Sequence, residues 1–377
     1  MLGLVIAQKY RIDSLLGAGG MGAVYRATQL AINRPVAVKV LRNIPGVDEQ
    51  QLIERFRREA LATSKLRHPN TVSVIDFGQA PGGLLYMVLE LLEGATLSRV
   101  IRASAPLPPQ RVAAIGKQIA KSLAEAHELG IVHRDLKPDN IFLCDYHGEP
   151  DFVKVMDFGI ARLLAEDGKG LKEMTRTGIM MGTPKYMPPE QAMAKKVGPP
   201  ADLYALGVIL FEMLSGAPPF SGDSGMALAL AHVNDPVPKL VLRGCPEPLA
   251  AAWRALIGVL LAKSPERRPQ TAAEVGGWLH QLETDAERLI GSKDRSDVIH
   301  LPSPASLIYE GPSGRATRHA LRAMRRAESG RRRVVVWLLA IVFMGLGGLF
   351  AYLLVKPPRA PKLPPPLTTL VSPPDAR

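Results

Sequence analysis

The sequence predicts an α+β chain of two lobes, followed by a linker and one C-terminal transmembrane helix. Three observations predict it. Residues 8–90 break into short apolar runs punctuated by turns, the pattern of a small antiparallel sheet. From residue 107 the apolar spacing becomes that of amphipathic helices. Residues 334–355 are 22 in a row without a charge. Strands first and helices after imply two packed regions rather than an alternating parallel fold.

In chain order, strands are expected at Tyr10–Leu16, Val24–Thr28 and Pro35–Leu41, with a glycine-rich turn after the first and Asn33-Arg34-Pro35 as the second turn. Asp48–Lys65 reads as a helix. Leu52, Phe56 and Ala60 repeat on one face, and Asp48 with Gln51 has the spacing of a capping box. Strands follow near Thr71–Phe77 and Leu84–Glu90. Helices are expected at Pro109–Leu129, Asp202–Ser215, Gly225–Val233, Pro248–Leu261 and Thr271–Leu282. The segment 284–333 begins rich in Pro, Ser and Gly and ends rich in Arg and Ala, so it reads as a basic juxtamembrane linker. Residues 356–377 are Pro-rich and expected to be a short tail without a fold.

Charge is unevenly spread. The chain carries a formal +12, but residues 286–377 alone hold 15 basic and 6 acidic side chains. The high net charge is therefore a local feature of the tail and not a signature of nucleic-acid binding. Two cysteines, Cys144 and Cys245, exclude a disulfide framework or a cysteine metal site. Leu2–Ala7 is too short, and lacks the basic start, for a signal peptide. As a helix, 334–355 would measure about 33 Å at about 1.5 Å per residue, against a bilayer core of roughly 30 Å.

Several motifs carry chemistry. Gly17-Ala18-Gly19-Gly20-Met21-Gly22-Ala23-Val24 is weak alone, because a glycine turn is often only a turn. Here it sits between two strands, where bare backbone N–H groups can approach phosphate oxygens. Lys39 ends Val36-Ala37-Val38-Lys39 among apolar neighbours and needs an anion if buried. Glu59, three residues after Phe56, can share the inward face of its helix. His133-Arg134-Asp135-Leu136-Lys137-Pro138-Asp139-Asn140 packs a possible base, a cation and a metal-binding amide into one loop. Asp157-Phe158-Gly159 adds a carboxylate, and Asn140 with Asp157 suits magnesium, a hard cation that takes oxygen ligands.

With these motifs in this order, and with Gly182–Glu190 reading GTPKYMPPE, the chain resembles the bacterial eukaryotic-like (Hanks-type) serine/threonine protein kinases of the membrane-anchored branch over residues 10–283. The resemblance implies the two-lobed protein kinase fold, ATP with Mg2+ (or Mn2+), and transfer of the γ-phosphate to protein serine or threonine. It implies that Leu16 and Gly17–Val24 cover the phosphates, that Lys39 holds the α- and β-phosphates and pairs with Glu59, and that Asp135 takes the hydroxyl proton. Lys137 would steady the γ-phosphate, and Asn140 and Asp157 would hold the metal. Leu89 resembles the gatekeeper. The backbones of Glu90 and Leu92 would bond adenine, with Val24 and Ala37 above it and Phe142 below. Asp202 resembles the carboxylate that braces the catalytic loop, and Glu190 the partner of Arg268. Lys137 and Thr183 favour serine and threonine over tyrosine. Pro188 departs from the small residue usual there, which bears on peptide preference. Arg134 implies activation-loop phosphate, for which Thr175 and Thr177 are the candidates.

Two alternatives of related fold are a catalytically weak pseudokinase scaffold, disfavoured because every motif residue is present, and a small-molecule kinase, disfavoured by the long Ile160–Glu190 segment. The third, a nucleic-acid arm, is weaker than a topology signal, and no nucleic-acid partner is expected. Eight arginines lie between Arg315 and Arg333, and only Lys356, Arg359, Lys362 and Arg377 follow the span. The positive-inside rule then puts the catalytic region in the cytoplasm of a single-pass cell-membrane protein, with anionic membrane lipid holding the basic segment. The tail is too short for a folded sensor. Gly347 and Ala351 have the spacing of a helix-pairing face, which suits a homodimer.

Overall fold

A computed structural model describes residues 1–19, 22–41, 49–81, 83–146, 148–158 and 184–291. In the front lobe lie strands β1 (Val5–Ile6), β2 (Tyr10–Gly19), β3 (Gly22–Gln29) and β4 (Arg34–Leu41), helix α1 (Glu49–Thr63), then β5 (Val74–Ala80) and β6 (Leu84–Glu90). These strands form one antiparallel sheet in the order β1-β2-β3-β4-β6-β5. Residue alternation assigns its two faces. Val36, Val38 and Val40 join Ile6, Tyr10, Ile12 and Val88 on one side. Ala37, Met87 and Leu89 lie on the other, against Leu52, Phe56 and Ala60 of α1. The helix thus buries the apolar face its spacing predicts, each large side chain contributing about 1.5–3 kcal/mol. Asp48, half of the expected capping box, lies outside the described residues.

The second lobe begins with β7 (Gly94–Thr96), α2 (Leu97–Ser104) and α3 (Pro109–Glu128), followed by the hairpin β8 (Ile141–Tyr146) and β9 (Glu149–Val155). It continues with α4 (Pro189–Ala192), α5 (Pro199–Ser215), α6 (Gly225–Asn234), α7 (Glu247–Leu260) and α8 (Ala272–Gly291). Helices α3, α5, α7 and α8 share one core, in which Ile115, Ile119, Leu206, Trp253 and Leu279 are all buried. Helix α5 is buried from Ala201 through Leu214, as expected of a helix apolar all round. It stops at Gly216, whose φ of 83° closes a left-handed cap by donating its N–H to the Glu212 carbonyl at 2.9 Å.

Four features differ from the sequence expectation. The hairpin β8–β9 stands in a region read as mainly helical, and β7 adds a third strand to it. Helix α2 is new, capped by Thr96, whose hydroxyl accepts from the Arg99 N–H at 3.3 Å. Helix α5 starts three residues early, at Pro199, because prolines in a first turn extend a helix instead of breaking it. Helix α8 runs on to Gly291, so the compositional change at residue 284 is not a backbone boundary. Among the described residues no helix is long and apolar enough to cross a membrane. The expected span 334–355, the tail 356–377 and the linker from residue 292 lie outside them.

One buried histidine makes the helical lobe acid-sensitive. His232 is fully buried, with Nδ1 2.9 Å from the Tyr204 hydroxyl. Burial first, and the nearby Lys263 cation second, push its pKa from 6.5 down to about 4. The unfolded chain binds this proton below about 6.5 and the folded protein only near 4, so stability is complete above that window and falls as pH drops through it. The loss should be on the order of 3 kcal/mol. Urea unfolding at pH 7, 5.5 and 4 should show a steeper acid loss for the wild type than for His232→Gln. Equal slopes would contradict the assignment.

Candidate active site

Strand register brings the front-lobe candidates to one face. Val24 lies opposite Lys39, Lys39 opposite Met87, and Ala37 opposite Leu89. The β2–β3 hairpin pairs Gly17 with Val24, Ala18 with Ala23 and Gly19 with Gly22; Gly20 and Met21 lie outside the described residues. Gly22 has a φ of 153°, and a Cβ there would stand 2.0 Å from the Val40 carbonyl oxygen, so only glycine fits. Leu16, Gly17 and Ala18 are exposed, and Ala23 is buried. At the end of β6, the Glu90 N–H donates to the Ser73 carbonyl at 3.1 Å, while its carboxylate accepts from the Ser73 N–H and the Lys154 ammonium, both at 2.8 Å. Leu92 and Phe142 are half-buried, and Phe142 pairs with Thr96 across the β7–β8 ladder.

The loop 131–140 is held from behind by α5. Asp202, 1% exposed, accepts from the backbone N–H groups of His133 and Arg134, both at 2.8 Å, and lies 2.8 Å from His127 Nε2. Those contacts stabilise a strained turn. Arg134 has a φ of 65°, a left-handed conformation that costs a long side chain on the order of 1–3 kcal/mol. His133 packs on Phe158 with ring centroids 4.7 Å apart, and its Nε2 lies 2.8 Å from the Met156 carbonyl oxygen. The braced loop turns Asp135 outward, with a side chain 40% exposed. Lys137 Nζ donates to Asp135 Oδ2 at 2.6 Å, and Asn140 Nδ2 donates to the Asp135 carbonyl at 2.8 Å.

Asp157 is brought alongside by backbone. The Met156 N–H donates to the Asn140 carbonyl at 2.9 Å, which places residue 157 next to the loop. Asp157 itself has a φ of 61°. Lys39 Nζ donates to its Oδ1 at 2.6 Å, joining the front-lobe sheet to the segment that follows β9. Glu59 is buried on α1. The ion pair described for Lys39 is the one with Asp157, and its pairing with Glu59 remains an expectation of the family resemblance. Helix α1 also reaches this segment through Thr63, whose hydroxyl donates to the Phe158 carbonyl at 3.4 Å.

Asn140 spends its amide N–H groups on Asp135, and among the described residues its amide oxygen accepts no hydrogen bond. One free amide oxygen beside one carboxylate suits Mg2+, which takes few protein ligands and completes its shell with phosphate oxygens and water. Among the described residues no group of three or more His, Cys, Asp or Glu converges on a metal position, here or elsewhere.

Below the cleft, Glu190 and Arg268 form a buried bidentate pair at 2.7 and 2.8 Å. Pro188 precedes it at a φ of −70°, the value proline itself prefers, so this departure from the family pattern carries no strain. Glu212 accepts from Lys185 at 2.7 Å and from the Tyr186 hydroxyl at 2.6 Å, fixing the loop after Thr183. Sequence reasoning did not name Glu212, Tyr186 or His127. The signal was available: Glu212 is a carboxylate among apolar residues near the end of a buried helix, and a buried charge requires partners. Gly159, Thr175, Thr177 and Thr183 lie outside the described residues.

Residues 10–276 match the protein kinase domain. The chain is 41% identical over 297 residues to the serine/threonine-protein kinase pkn3 of Myxococcus xanthus, covering 78% of this chain and 54% of that protein. It is 40% identical over 302 residues to the serine/threonine-protein kinase PknB of Mycobacterium tuberculosis, covering 78% of this chain and 46% of the other. The chain thus spans about half the length of these curated relatives. The solved PknI kinase domain of Mycobacterium tuberculosis superimposes with a TM-score of 0.57 at 25% identity, over 75% of this chain and 98% of that one. By the match over residues 10–276, this chain belongs to the protein kinase family.

Proposed function

We propose that the chain is a serine/threonine protein kinase that transfers the γ-phosphate of Mg-ATP to hydroxyl groups of protein substrates. The observation that carries this is the assembly of Asp135, Lys137 and Asn140 on one braced loop with Asp157 and Lys39 alongside. Asp135 is exposed enough to meet a hydroxyl and accepts its proton. Lys137, 2.6 Å from it, neutralises charge on the moving phosphoryl group. Lys39, on the sheet face with Val24 and Ala37, holds the α- and β-phosphates. Its ammonium, now 2.6 Å from Asp157, would serve phosphate oxygens if Asp157 held a metal ion, and Glu59 would orient it. Asn140 and Asp157 would hold magnesium, which would supply charge neutralisation for the phosphates. Catalysis of this kind is mainly positioning and electrostatics. The test offers γ-labelled ATP and magnesium together with a protein mixture and a panel of metabolites. Label in protein supports the proposal. Label in a metabolite favours the small-molecule reading, and no label favours the scaffold.

Activation follows from Arg134, which precedes the catalytic aspartate. A phosphate on Thr175 or Thr177 would add about −1.5 to −2 charge and order the loop by pairing with arginine. Mass spectrometry of the purified protein should find autophosphorylation at one or both. Full activity of the Thr175→Ala/Thr177→Ala variant would rule out the regulatory role.

Membrane attachment is supported by the uncharged run 334–355 and the eight arginines before it. The kinase domain would then be cytoplasmic, the basic segment would lie on anionic lipid, and Gly347 and Ala351 would aid pairing of two spans. A reporter active only outside the cytoplasm should work when fused after residue 377 and fail when fused before residue 1. The reverse result would overturn the topology, and a fully soluble native protein would overturn the anchor.

A further inference from the structure

The strand that delivers Asp157 has an outer edge closed by side chains from two other elements. Strand β9 pairs with β8 along one edge. On the other edge the loop 70–72 reaches only its last residue: the Val155 N–H donates to the Asn70 carbonyl at 2.8 Å, and the Val72 N–H donates to the Val155 carbonyl at 2.9 Å. Beyond that point the ladder is continued by a side chain of α3. Gln118 Oε1 accepts from the Val153 N–H at 3.0 Å, and Gln118 Nε2 donates to the Asp151 carbonyl at 3.0 Å. The amide oxygen and one of the two amide N–H groups are here bonded as the peptide group of a neighbouring strand would be, and Nε2 also donates to the Ala114 carbonyl at 3.3 Å. Asn70 Nδ2 closes the gap between loop and helix, donating to the Val153 carbonyl at 2.9 Å and to Gln118 Oε1 at 3.0 Å. Every edge-facing group from the Asp151 carbonyl to the Val155 carbonyl therefore has a partner. The start of the strand is fixed too: Arg111, also on α3, grips the Asp151 carboxylate with bonds of 2.7 and 2.8 Å.

We infer that Gln118, joined by Asn70, is a positioning residue for the metal-binding carboxylate of Asp157. This rests on the reading of Asp157 as a magnesium ligand. Val155 is two residues before Asp157, and Asp157 is itself held in the left-handed region. A shift or fraying of β9 is passed directly to a carboxylate whose conformation has no slack. Gln118 ties the strand to the rigid helical core, while Asn70 ties it to the loop that leaves α1. Neither side chain is among the groups that meet nucleotide, so their effect runs through the backbone of β9.

The experiment measures binding of a non-hydrolysable ATP analogue by calorimetry, with magnesium and with chelator, for the full chain. It compares the wild type, Gln118→Leu, Gln118→Glu and Ser122→Ala. Gln118→Glu keeps the shape and the acceptor for Val153 but sets an anion against the Asp151 carbonyl, so it serves where the apolar variant fails to fold. Ser122→Ala is the matched control. It removes a buried 2.7 Å bond between α3 and Thr71 of the same loop without touching β9. The gain in analogue affinity on adding magnesium should fall about tenfold in both Gln118 variants. It should be unchanged in Ser122→Ala, and magnesium-free affinity should stay within about twofold of wild type in all variants. Hydrogen exchange of the peptide covering 151–155 should quicken in the Gln118 variants alone. An intact magnesium gain in both Gln118 variants, or an equal loss in Ser122→Ala, would overturn the inference while leaving the kinase reading standing. A wild type with no magnesium gain would overturn both.

Discussion

Asp135→Asn should lower phosphoryl transfer by about 10²- to 10⁴-fold, the range for loss of a positioned general base, with no change in the unfolding midpoint. The geometry separates the two effects. The Asp135 side chain is 40% exposed and buries no apolar surface. Its fold-level role is carried by its main chain, whose carbonyl accepts from Asn140 Nδ2 at 2.8 Å, and the substitution leaves that bond alone. What is lost is the anion 2.6 Å from Lys137, able to take a proton at the mouth of the site. Steady-state transfer with labelled ATP checks the rate, and circular dichroism checks the fold. A folded Asp135→Asn protein within a few-fold of wild-type rate would remove Asp135 from the role of base.

Arg268→Met should cost stability on the scale of a broken buried ion pair, about 3–5 kcal/mol. Arg268 has five N–H donors, and all five are used. Nε donates to the Ala262 carbonyl at 2.8 Å, Nη1 to Glu190 and the Pro200 carbonyl, and Nη2 to Glu190 and the Lys263 carbonyl. Its guanidinium also lies over the Tyr204 ring, 4.7 Å from the centroid. Removing it strands a carboxylate that is 3% exposed and three carbonyls. Arg268→Lys should recover only part of the loss, because one ammonium has three donors and no planar fork. The double variant Glu190→Leu/Arg268→Met should also recover part: it removes the stranded charge but leaves the three carbonyls unpaired. Urea unfolding measures all three. A loss below about 1 kcal/mol for Arg268→Met would place the pair with exposed ones of little worth.

How legible these features were depended on how local their causes are. Strands β2 to β6 and helix α1 were readable because period-two and period-four apolar spacing directly encodes a buried face. Leu52, Phe56 and Ala60 pack as that spacing requires. The candidate site residues were named from motif order, and the structure brings Lys39, Asp135, Lys137, Asn140 and Asp157 together. Features built by tertiary contact were not readable. Strand β7 has three residues, too few for any periodicity, and forms only because β8 lies beside it. The start of α5 hid behind two prolines. The bond from Lys39 to Asp157 joins residues 118 apart, and the closure of β9 by Gln118 joins a helix to a strand 35 positions away. No spacing rule reaches across such separations. Glu212, within a buried apolar helix, stood in plain view, and the question of what satisfies it would have flagged it. His127 lies on an amphipathic helix with several other polar residues, so nothing local set it apart.

The most direct test of the account is the chemical identity of the phosphorylated residues. The purified chain is incubated with magnesium and γ-labelled ATP in the presence of a protein mixture, and the products are analysed by mass spectrometry beside an Asp135→Asn control. The account predicts phosphoserine and phosphothreonine that depend on both magnesium and Asp135. Phosphotyrosine as the main product, or equal labelling by the Asp135→Asn protein, would contradict it.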